Sequence, residues 1–333
     1  MNHQSAHRST ITPVIDTASR PLWSVMIPTY NCAHYLRETL ASVLAQAPST
    51  DLMQIAVIDD CSTQDDPHAI VKALGKGRVE FYQQPKNVGH IRNFETCIER
   101  SRGKLIHLLH GDDLVRVDFY RKMQAAFEQR PDVGAAFCRH IFMDSRGHWQ
   151  TLSNLEQSES GILDQWLERI ATHQRIQTPS IVVRRDVYEH LGGYDRRIRH
   201  WGEDWEMWVR IAANYPVWYE VEPLAIYRMH DSSLTGRSVR TGENIQDFRQ
   251  AIHIVKDYLP KESANQLFRT ALVLIAFSAL QTAEQFIDKQ DMTAAMNQIR
   301  EALRCYSSPR MRIAAYKSMI RIWQRSLRSR LAM

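Results

Sequence analysis

The chain has 333 residues, of which 44% are hydrophobic and 24% charged, with a formal net charge of +5 at pH 7. These values are typical of folded globular proteins and exclude collagen-like, low-complexity and globally disordered chains. The length indicates one large domain with an appendage, or two domains.

Short apolar runs alternate with amphipathic stretches in the first half of the chain. We predict strands at residues 24–28, 54–59, 79–82, 104–109 and 134–138, and helices at 34–46, 66–74, 89–102 and 117–129. This alternation predicts βαβ units, and therefore an α/β fold with a mainly parallel sheet flanked by helices.

The second half changes from mixed to helical. We predict strands at residues 180–184 and 225–229 with a helix at 203–214 between them, and only helices from about residue 241 onward. The organisation is therefore a polar leader over residues 1–20, an α/β domain over 21–240 and a helical C-terminal region over 241–333. The longest apolar run, 271–280, is about half of the ~20 residues that a membrane-spanning helix needs, so we predict a buried helix there.

The five cysteines are odd in number, widely spaced and free of any C-x-x-C pair. This argues against a disulfide framework and a thiolate zinc site, and reduced thiols in the cytoplasm are expected. The polar N-terminus predicts no signal peptide.

Polar residues cluster where three predicted strands end. PTYN at 28–31 follows the first strand, DDCS at 59–62 the second, and HGDD at 110–113 the fourth. Ligands of open α/β sheets bind at such strand ends.

Two common kinds of nucleotide site are not indicated by the sequence. No G-x-G-x-x-G follows the first strand, which argues against a dinucleotide-binding site, and no G-x-x-x-x-G-K-[ST] occurs, which argues against a P-loop. Carboxylate pairs suit Mg²⁺ or Mn²⁺, which complete their coordination with water and substrate phosphates, so a nucleotide-diphosphate substrate is indicated.

Each of these features also has a structural explanation. Asp112 and Asp113 can cap a helix over residues 114–127, and DDCS can form a polar turn. Acidic residues at 203–206 suit a helix N-terminus. His230 can be a hydrogen-bonded structural histidine instead of a metal ligand.

Six ordered motifs carry a family resemblance over about residues 23–233. They are SVMIPTYN, VIDDCSTQDD, NVGHIRNFETCIERSRGKLIHLLHGDD, LGGYD, GEDWEMWVRIA and YRMHDSS. Together they resemble the family 2 glycosyltransferases with the GT-A fold. The resemblance implies an inverting, metal-dependent enzyme that moves one sugar from a nucleotide-diphosphate sugar, expected to be UDP-linked, to a hydroxyl of a glycan or lipid-linked acceptor in surface polysaccharide biosynthesis. A nucleotidyltransferase and a non-catalytic sugar-nucleotide-binding protein remain the alternatives.

The resemblance also implies roles for individual residues. Asp204 matches the catalytic base, with Glu203 as the second candidate, and Asp112, Asp113 and His230 match ligands of Mn²⁺ or Mg²⁺. Asp60 is expected to hydrogen-bond the nucleobase and Asp59 to support its loop. The expected donor-binding residues are Pro28, Thr29, Tyr30, Asn31, Asp59, Asp60, Asn87, Gly89, Arg92 and Asp112.

Three departures from the family pattern bear on these expectations. His110 stands at the first position of the D-x-D motif, and Cys61 stands where glycine is common. The Q-x-x-R-W signature of processive members is absent, which favours addition of a single sugar.

The basic charge of the chain belongs to its C-terminal tail. Residues 306–333 contain seven Arg and Lys and no acid, so the remainder is nearly neutral. Apolar residues recur there at spacings of three and four: Ile313, Tyr316, Ile320, Trp323, Leu327 and Leu331. This basic amphipathic helix either binds an anionic membrane surface, at the cytoplasmic face of the inner membrane, or packs its apolar side on the preceding helices. A nucleic-acid partner is not expected, because the charge lies on one terminal helix and not around an aromatic groove.

Overall fold

The structure, a computed structural model, describes residues 7–15, 20–230 and 234–331, without the side chains of 234, 235, 237 and 325–331. The chain divides into two compact units. The N-terminal unit comprises Met1–Trp166, Arg175–Arg196 and Arg210–Met229, and the C-terminal unit comprises Leu167–Gln174, Arg197–Val209 and His230–Met333.

The N-terminal unit is built on one sheet, to which ten strands of the described chain belong. They are β1 (Trp23–Thr29), β2 (Met53–Asp59), β3 (Glu80–Gln83), β4 (Leu105–Leu108), β5 (Leu114–Val115), β6 (Ala135–Asp144), β7 (Trp149–Leu152), β8 (Gly161–Ile162), β9 (Ile181–Arg184) and β10 (Val217–Met229). The order is β3-β2-β1-β4-β9-β6-β10-β5, with β7 paired to β6 and β8 to β10.

Helices connect and flank the strands. In chain order they are α1 (Ala33–Leu44), α2 (Pro67–Gly75), α3 (His90–Arg100), α4 (Phe119–Gln129), α5 (Trp166–Ile170), α6 (Arg185–Leu191), α7 (Glu203–Ala212), α8 (Leu234–Thr241), α9 (Glu243–Val255), α10 (Lys261–Asp288), α11 (Met292–Cys305) and α12 (Pro309–Leu331). Short 3-10 helices occur at Thr178–Ser180 and Lys256–Tyr258.

The prediction of an α/β fold with a helical C-terminal region is confirmed, and the sheet is mixed. Strand β1 runs parallel to β2 and β4, and β2 runs parallel to β3. Strand β9 then lies antiparallel to both β4 and β6, whereas β10 is parallel to β6. The expectation of a mainly parallel sheet holds for the pairs among β1 to β4 and for β6 with β10, whereas β5, β7, β8 and β9 pair antiparallel. The two-residue strands β5 and β8 give no periodic signal in the sequence.

The core of the N-terminal unit lies around β1 and β2. Every residue of both strands is buried, which is the pattern of parallel strands covered on both faces. On one face, Val25 and Val57 belong to a cluster that includes Leu36 and Leu40 of α1. Burial on both sides fixes the register, so the strand ends are held at defined positions along one edge of the sheet.

The described residues of the leader pack on this unit. Ile11 is 1% exposed, and the backbone carbonyl of Ser9 accepts the N–H of Gly193 at 2.9 Å. Arg8 forms an ion pair with Asp195, whose side chain is fully buried. This part of the polar leader is therefore held on the unit by backbone hydrogen bonds and one ion pair.

The C-terminal unit contains the long helices. Small buried side chains of α10, among them Ala276, Ala279 and Ala283, allow close packing in the core of the unit, where Ala295 and Ala302 of α11 are also buried. By length and composition alone, α10 is the one described helix long and apolar enough to cross a membrane. The core helix of a soluble bundle passes the same test, so this is weak evidence.

Candidate active site

The loop HGDD at positions 110–113 follows β4 and lies against the end of β1. The backbone N–H of Gly111 donates to the carbonyl of Pro28 at 3.0 Å. A Cβ atom on Gly111 would lie 3.0 Å from Oγ1 of Thr29 and 3.1 Å from Sγ of Cys32. A larger residue would push the loop away, so this glycine holds the first and fourth strand ends together.

Asp113 is the most buried acid of this loop, with 1% of its surface exposed. Its Oδ1 accepts the backbone N–H of Arg228 at 2.8 Å, whereas its Oδ2 accepts no hydrogen bond from any described residue. Nδ1 of His110 lies 3.7 Å from Oδ2. Burial, and after it the charge of Asp112, raises the pKa of Asp113 well above its usual range. A buried carboxylate oxygen without a donor is costly, and a bound cation would offset that cost.

The structure contradicts the explanation of Asp112 and Asp113 as helix caps. Residues Leu114–Val115 form β5, which pairs with β10. Helix α4 begins only at Phe119, with Asp118 as its N-cap. The acid pair lies in the turn between two strands, so no helix N-terminus accounts for it.

His110, Asp112 and Asp113 form a cluster whose candidate ligand atoms all lie within 4.8 Å of one another. The ring of Phe94 stacks on His110 with the centroids 5.1 Å apart, which orients the imidazole. One imidazole and two carboxylates suit Mn²⁺ and, through their oxygens, Mg²⁺. The residues present therefore fit a divalent cation. Sequence reasoning treated His110 only as a missing acid, whereas the turn that joins the N–H of Asp113 to the carbonyl of His110 brings it into the cluster.

Arg228 is a site residue that sequence reasoning missed. Its guanidinium is buried and donates to the carbonyl of Asp112 at 2.9 Å and to Glu38 at 2.6 Å. It also lies over the ring of Tyr35, 4.4 Å from the centroid. Together with its backbone N–H on Asp113, Arg228 holds both acids in place. A signal was present in the motif YRMHDSS, where an arginine interrupts an otherwise apolar strand.

The loops after β1 and β2 are tied to each other. Oδ1 of Asn31 accepts the backbone N–H groups of residues 63 and 64 at 2.9 and 3.0 Å. The carboxylate of Asp59 accepts the backbone N–H of Ser62 at 3.0 Å and the side-chain amide of Gln83 at 2.8 Å. Both side chains therefore act within the protein by fixing the shape of the loops.

Asp60 joins the loop after β2 to the start of α3. Its two oxygens accept the backbone N–H groups of Val88 and Gly89 at 2.7 and 3.0 Å. Only 3% of its surface is exposed, and this burial raises its pKa. The expected nucleobase contact would therefore be made by a carboxylate that already accepts two backbone N–H groups. Each oxygen keeps a second lone pair, so one further donor can still be accepted.

The expected donor-binding residues differ in accessibility. Pro28 and Thr29 are buried within β1, whereas Tyr30 is 42% exposed. Asn87 and Arg92, on either side of the α3 N-terminus, are exposed. Tyr30, Asn87 and Arg92 are thus the most exposed members of the expected set, and Asn31 and Asp112 are partly exposed.

Asp204 lies in the C-terminal unit, in the first turn of α7. Its Oδ2 accepts the side-chain amide of Gln174 at 2.8 Å, and its Oδ1 accepts the N–H of Trp205 at 2.7 Å. Trp205 is fully buried and stacks on Phe248 with the centroids 4.5 Å apart. Gly202 begins this turn with φ +92°, a conformation that favours glycine. These contacts fix the orientation of the carboxylate.

The other acids of this turn are less accessible than Asp204. Glu203 is 9% exposed, and Glu206 is fully buried and accepts a hydrogen bond from the hydroxyl of Tyr258. Asp204, by contrast, is partly exposed. His230, the third expected metal ligand, is half-buried and belongs to the C-terminal unit, directly after β10. The structure thus groups Asp112 and Asp113 with His110 in one unit, and holds Asp204 and His230 in the other.

Residues 24–192 match the family described as glycosyl transferase family 2. The chain belongs to glycosyltransferase family 2. The match covers the β1, β2 and β4 loops and ends before Asp204. Among the relatives, the uncharacterized protein MT1568 of Mycobacterium tuberculosis is 27% identical over 245 residues, which cover 70% of this chain and 75% of the relative. The putative teichuronic acid biosynthesis glycosyltransferase TuaG of Bacillus subtilis is 28% identical over 181 residues, covering 50% and 70%.

Two solved structures share the fold. S. aureus TarS, residues 1–349, in complex with UDP-GlcNAc has a TM-score of 0.63 at 17% identity, covering 90% of this chain and 89% of that chain. The mannosyltransferase PcManGT of Pyrobaculum calidifontis, in complex with GDP-Man and Mn²⁺, has a TM-score of 0.57 at 18% identity, covering 90% and 80%. Both likenesses show a common fold, in agreement with the predicted GT-A architecture of this glycosyltransferase.

Proposed function

We propose that this glycosyltransferase transfers one sugar, with inversion, from a UDP-linked donor to a hydroxyl of a glycan or lipid-linked acceptor, and that a divalent cation is required. The observation that carries the proposal is the cluster of His110, Asp112 and Asp113 at the strand ends. The buried Oδ2 of Asp113 accepts no hydrogen bond within the described chain. A bound Mn²⁺ or Mg²⁺ would neutralise charge on the departing diphosphate.

The donor site is proposed along the loops after β1, β2 and β4. The exposed ring of Tyr30 offers a stacking surface for the nucleobase, and Asp60 can accept one imide N–H through its remaining lone pair. The exposed guanidinium of Arg92, beside the N-terminus of α3, suits a phosphate. The complexes of TarS with UDP-GlcNAc and of PcManGT with GDP-Man support a nucleotide sugar as donor. A uracil rather than a guanine base is our choice, in line with the family resemblance.

The chemical step is proposed as a single displacement with Asp204 as the base. Its carboxylate accepts the proton of the acceptor hydroxyl while that oxygen bonds to the anomeric carbon and the bond to the diphosphate breaks. The partial exposure of Asp204, compared with the buried Glu203, supports this assignment. We assign His230 to the cation as a further ligand, in line with the family resemblance.

The acceptor is proposed to be a precursor of a surface polysaccharide. The name of TuaG, which refers to teichuronic acid biosynthesis, supports this class. The five cysteines are all free, which agrees with a reducing compartment such as the cytoplasm, where we place the reaction.

Ligand-dependent thermal stabilisation tests the proposal. Wild type, Asp113→Ala and the control Asp132→Ala, an exposed acid paired with Arg130, are heated with UDP, GDP and their sugar conjugates, with and without Mn²⁺. A ligand that binds the folded state raises the apparent stability. We expect a Mn²⁺-dependent shift with uridine nucleotides that Asp113→Ala loses and Asp132→Ala keeps.

Three outcomes would contradict the proposal in part or in full. A shift with guanosine nucleotides alone would refute the UDP donor but keep the site. A Mn²⁺-dependent shift of wild-type size in Asp113→Ala would remove the cation from this cluster. No shift with any nucleotide would refute donor binding altogether.

A further inference from the structure

Helix α12 packs on the C-terminal unit through one narrow face. Met311, Ala315 and Ser318 on this face are 0%, 1% and 4% exposed. The hydroxyl of Ser318 donates to Glu284 of α10, and Arg321 forms ion pairs with Glu284 and Asp288 of the same helix. These contacts hold α12 in a defined rotation about its axis.

A second apolar face of α12 points away from that contact. The α12 stripe, consisting of Ile313, Tyr316, Ile320 and Trp323, is exposed by 57%, 68%, 50% and 64%. At 100° per residue, its centre lies roughly 150° around the helix from the buried face. The sequence-based interpretation that these side chains pack on the preceding helices is therefore wrong for these four residues. Leu327 and Leu331 of the same pattern lie outside the described side chains.

The residues beside the stripe are basic. Arg310 and Lys317 lie on one side of it and Arg312 on the other, and all three are exposed. Residues 306–333 contain seven basic residues and no acid. Four adjacent exposed apolar side chains, two of them aromatic, mark an interaction surface rather than scattered exposure.

We propose that the α12 stripe binds an anionic lipid bilayer surface. An aromatic and aliphatic face bordered by Arg and Lys matches the interface of a negatively charged membrane, where apolar side chains enter the headgroup boundary and cations meet lipid phosphates. A second copy of this chain is the less suitable occupant, because pairing two stripes would bring like charges together. This proposal goes beyond sugar transfer and stands on α12 alone.

Co-sedimentation of the full chain with vesicles tests the proposal. The vesicles contain phosphatidylcholine alone or with about 30 mol% phosphatidylglycerol, which supplies the negative surface potential. The variants are Trp323→Ser and Lys317→Gln, and the matched control is Trp149→Ser, because Trp149 of β7 is 60% exposed and lies in the other unit. All substituted side chains are exposed, so the fold should be retained, and circular dichroism checks this.

We expect wild type to bind the anionic vesicles and not phosphatidylcholine alone, with binding reduced at roughly 0.5 M NaCl. Lys317→Gln should weaken partitioning about fivefold, as expected for one charge at the surface. Trp323→Ser should weaken partitioning further, and Trp149→Ser should leave it unchanged.

Two results would overturn the proposal: no binding of wild type to anionic vesicles, or a loss of binding in Trp149→Ser as large as that in Trp323→Ser. A concentration-dependent dimer that Trp323→Ser abolishes, without vesicle binding, would identify a second copy as the occupant instead. None of these readouts depends on transfer activity, so failure here is distinguishable from failure of the proposed function.

Discussion

Replacement of Arg228 by methionine tests how the acid pair is held. Methionine keeps much of the apolar bulk of the side chain but removes its hydrogen bonds to the carbonyl of Asp112 and to Glu38. The backbone N–H of residue 228 still donates to Asp113. The variant therefore removes the guanidinium contacts and keeps the backbone contact.

The expected loss can be estimated from these contacts. The charge-assisted bond to the buried Asp112 carbonyl contributes about 2 kcal/mol. The pair with Glu38 contributes about 0.5 kcal/mol, because the side chain of Glu38 is 57% exposed. The position over Tyr35 adds about 1 kcal/mol. These contributions sum to about 3.5 kcal/mol, so we expect Arg228→Met to lower the free energy of unfolding by about that amount. We also expect it to weaken Mn²⁺ binding about 10–100-fold, since groups that orient metal ligands have effects of that size.

Urea unfolding followed by circular dichroism and a Mn²⁺ titration in the presence of nucleotide measure the two effects. Glu38→Gln is the matched control, because it removes only the negative charge of the exposed partner, and it should cost less than about 1 kcal/mol. Unchanged stability and unchanged Mn²⁺ affinity in Arg228→Met would show that the loop keeps its shape without the guanidinium, and the reasoning would be refuted.

Two further predictions concern the turn that carries the proposed base Asp204 and a buried histidine. Gln174→Ala removes the amide donor on Oδ2 of Asp204, so kcat should fall about tenfold while nucleotide binding, measured by thermal stabilisation, stays unchanged. Asp204→Asn should abolish transfer and also keep nucleotide binding. Retained transfer in Asp204→Asn would move the base to Glu203. His107 is fully buried, and burial lowers its pKa to about 4. As the pH falls, His107 is protonated in the unfolded chain at a higher pH than in the folded protein, because its pKa is about 6.5 when unfolded. The folded protein therefore keeps its full stability above about pH 6.5 and loses about 3 kcal/mol as the pH drops to about 4. Between pH 7 and 4, the urea midpoint of unfolding should decrease less with falling pH in His107→Gln than in wild type. The exposed His148→Gln is the control and should behave as wild type. The same pH dependence in wild type and His107→Gln would contradict this origin of the acid sensitivity.

The central strands and the polar motifs at their ends could be predicted from the sequence. The apolar runs of β1 and β2 are continuous because both strands are covered on both faces, and such runs bounded by polar turns are local features. The motifs at 28–31, 59–62 and 110–113 were located for the same reason: each directly follows its strand. The predicted helical region after residue 241 also follows from local periodicity.

Sequence reasoning erred where short elements carry no period. The two residues of β5 separate the acid pair from α4, so a single helix over 114–127 was a plausible but incorrect interpretation. The strand at β9 was predicted at residues 180–184, but its antiparallel direction was not, because direction depends on the partner strands. The short β8 was missed altogether, and the mixed character of the sheet was missed with it.

The sequence by itself therefore determined the fold class, the strand-end motifs and the amphipathic period of the tail. Only the tertiary structure decided that Arg228 holds an acid 115 residues away, that His110 joins the candidate ligands, and that the apolar stripe of α12 is exposed. The physical reason is the range of the interactions: periodicity and turn preference depend on neighbouring residues, whereas burial, an unpaired oxygen and the free face of a helix depend on which distant segments pack around them.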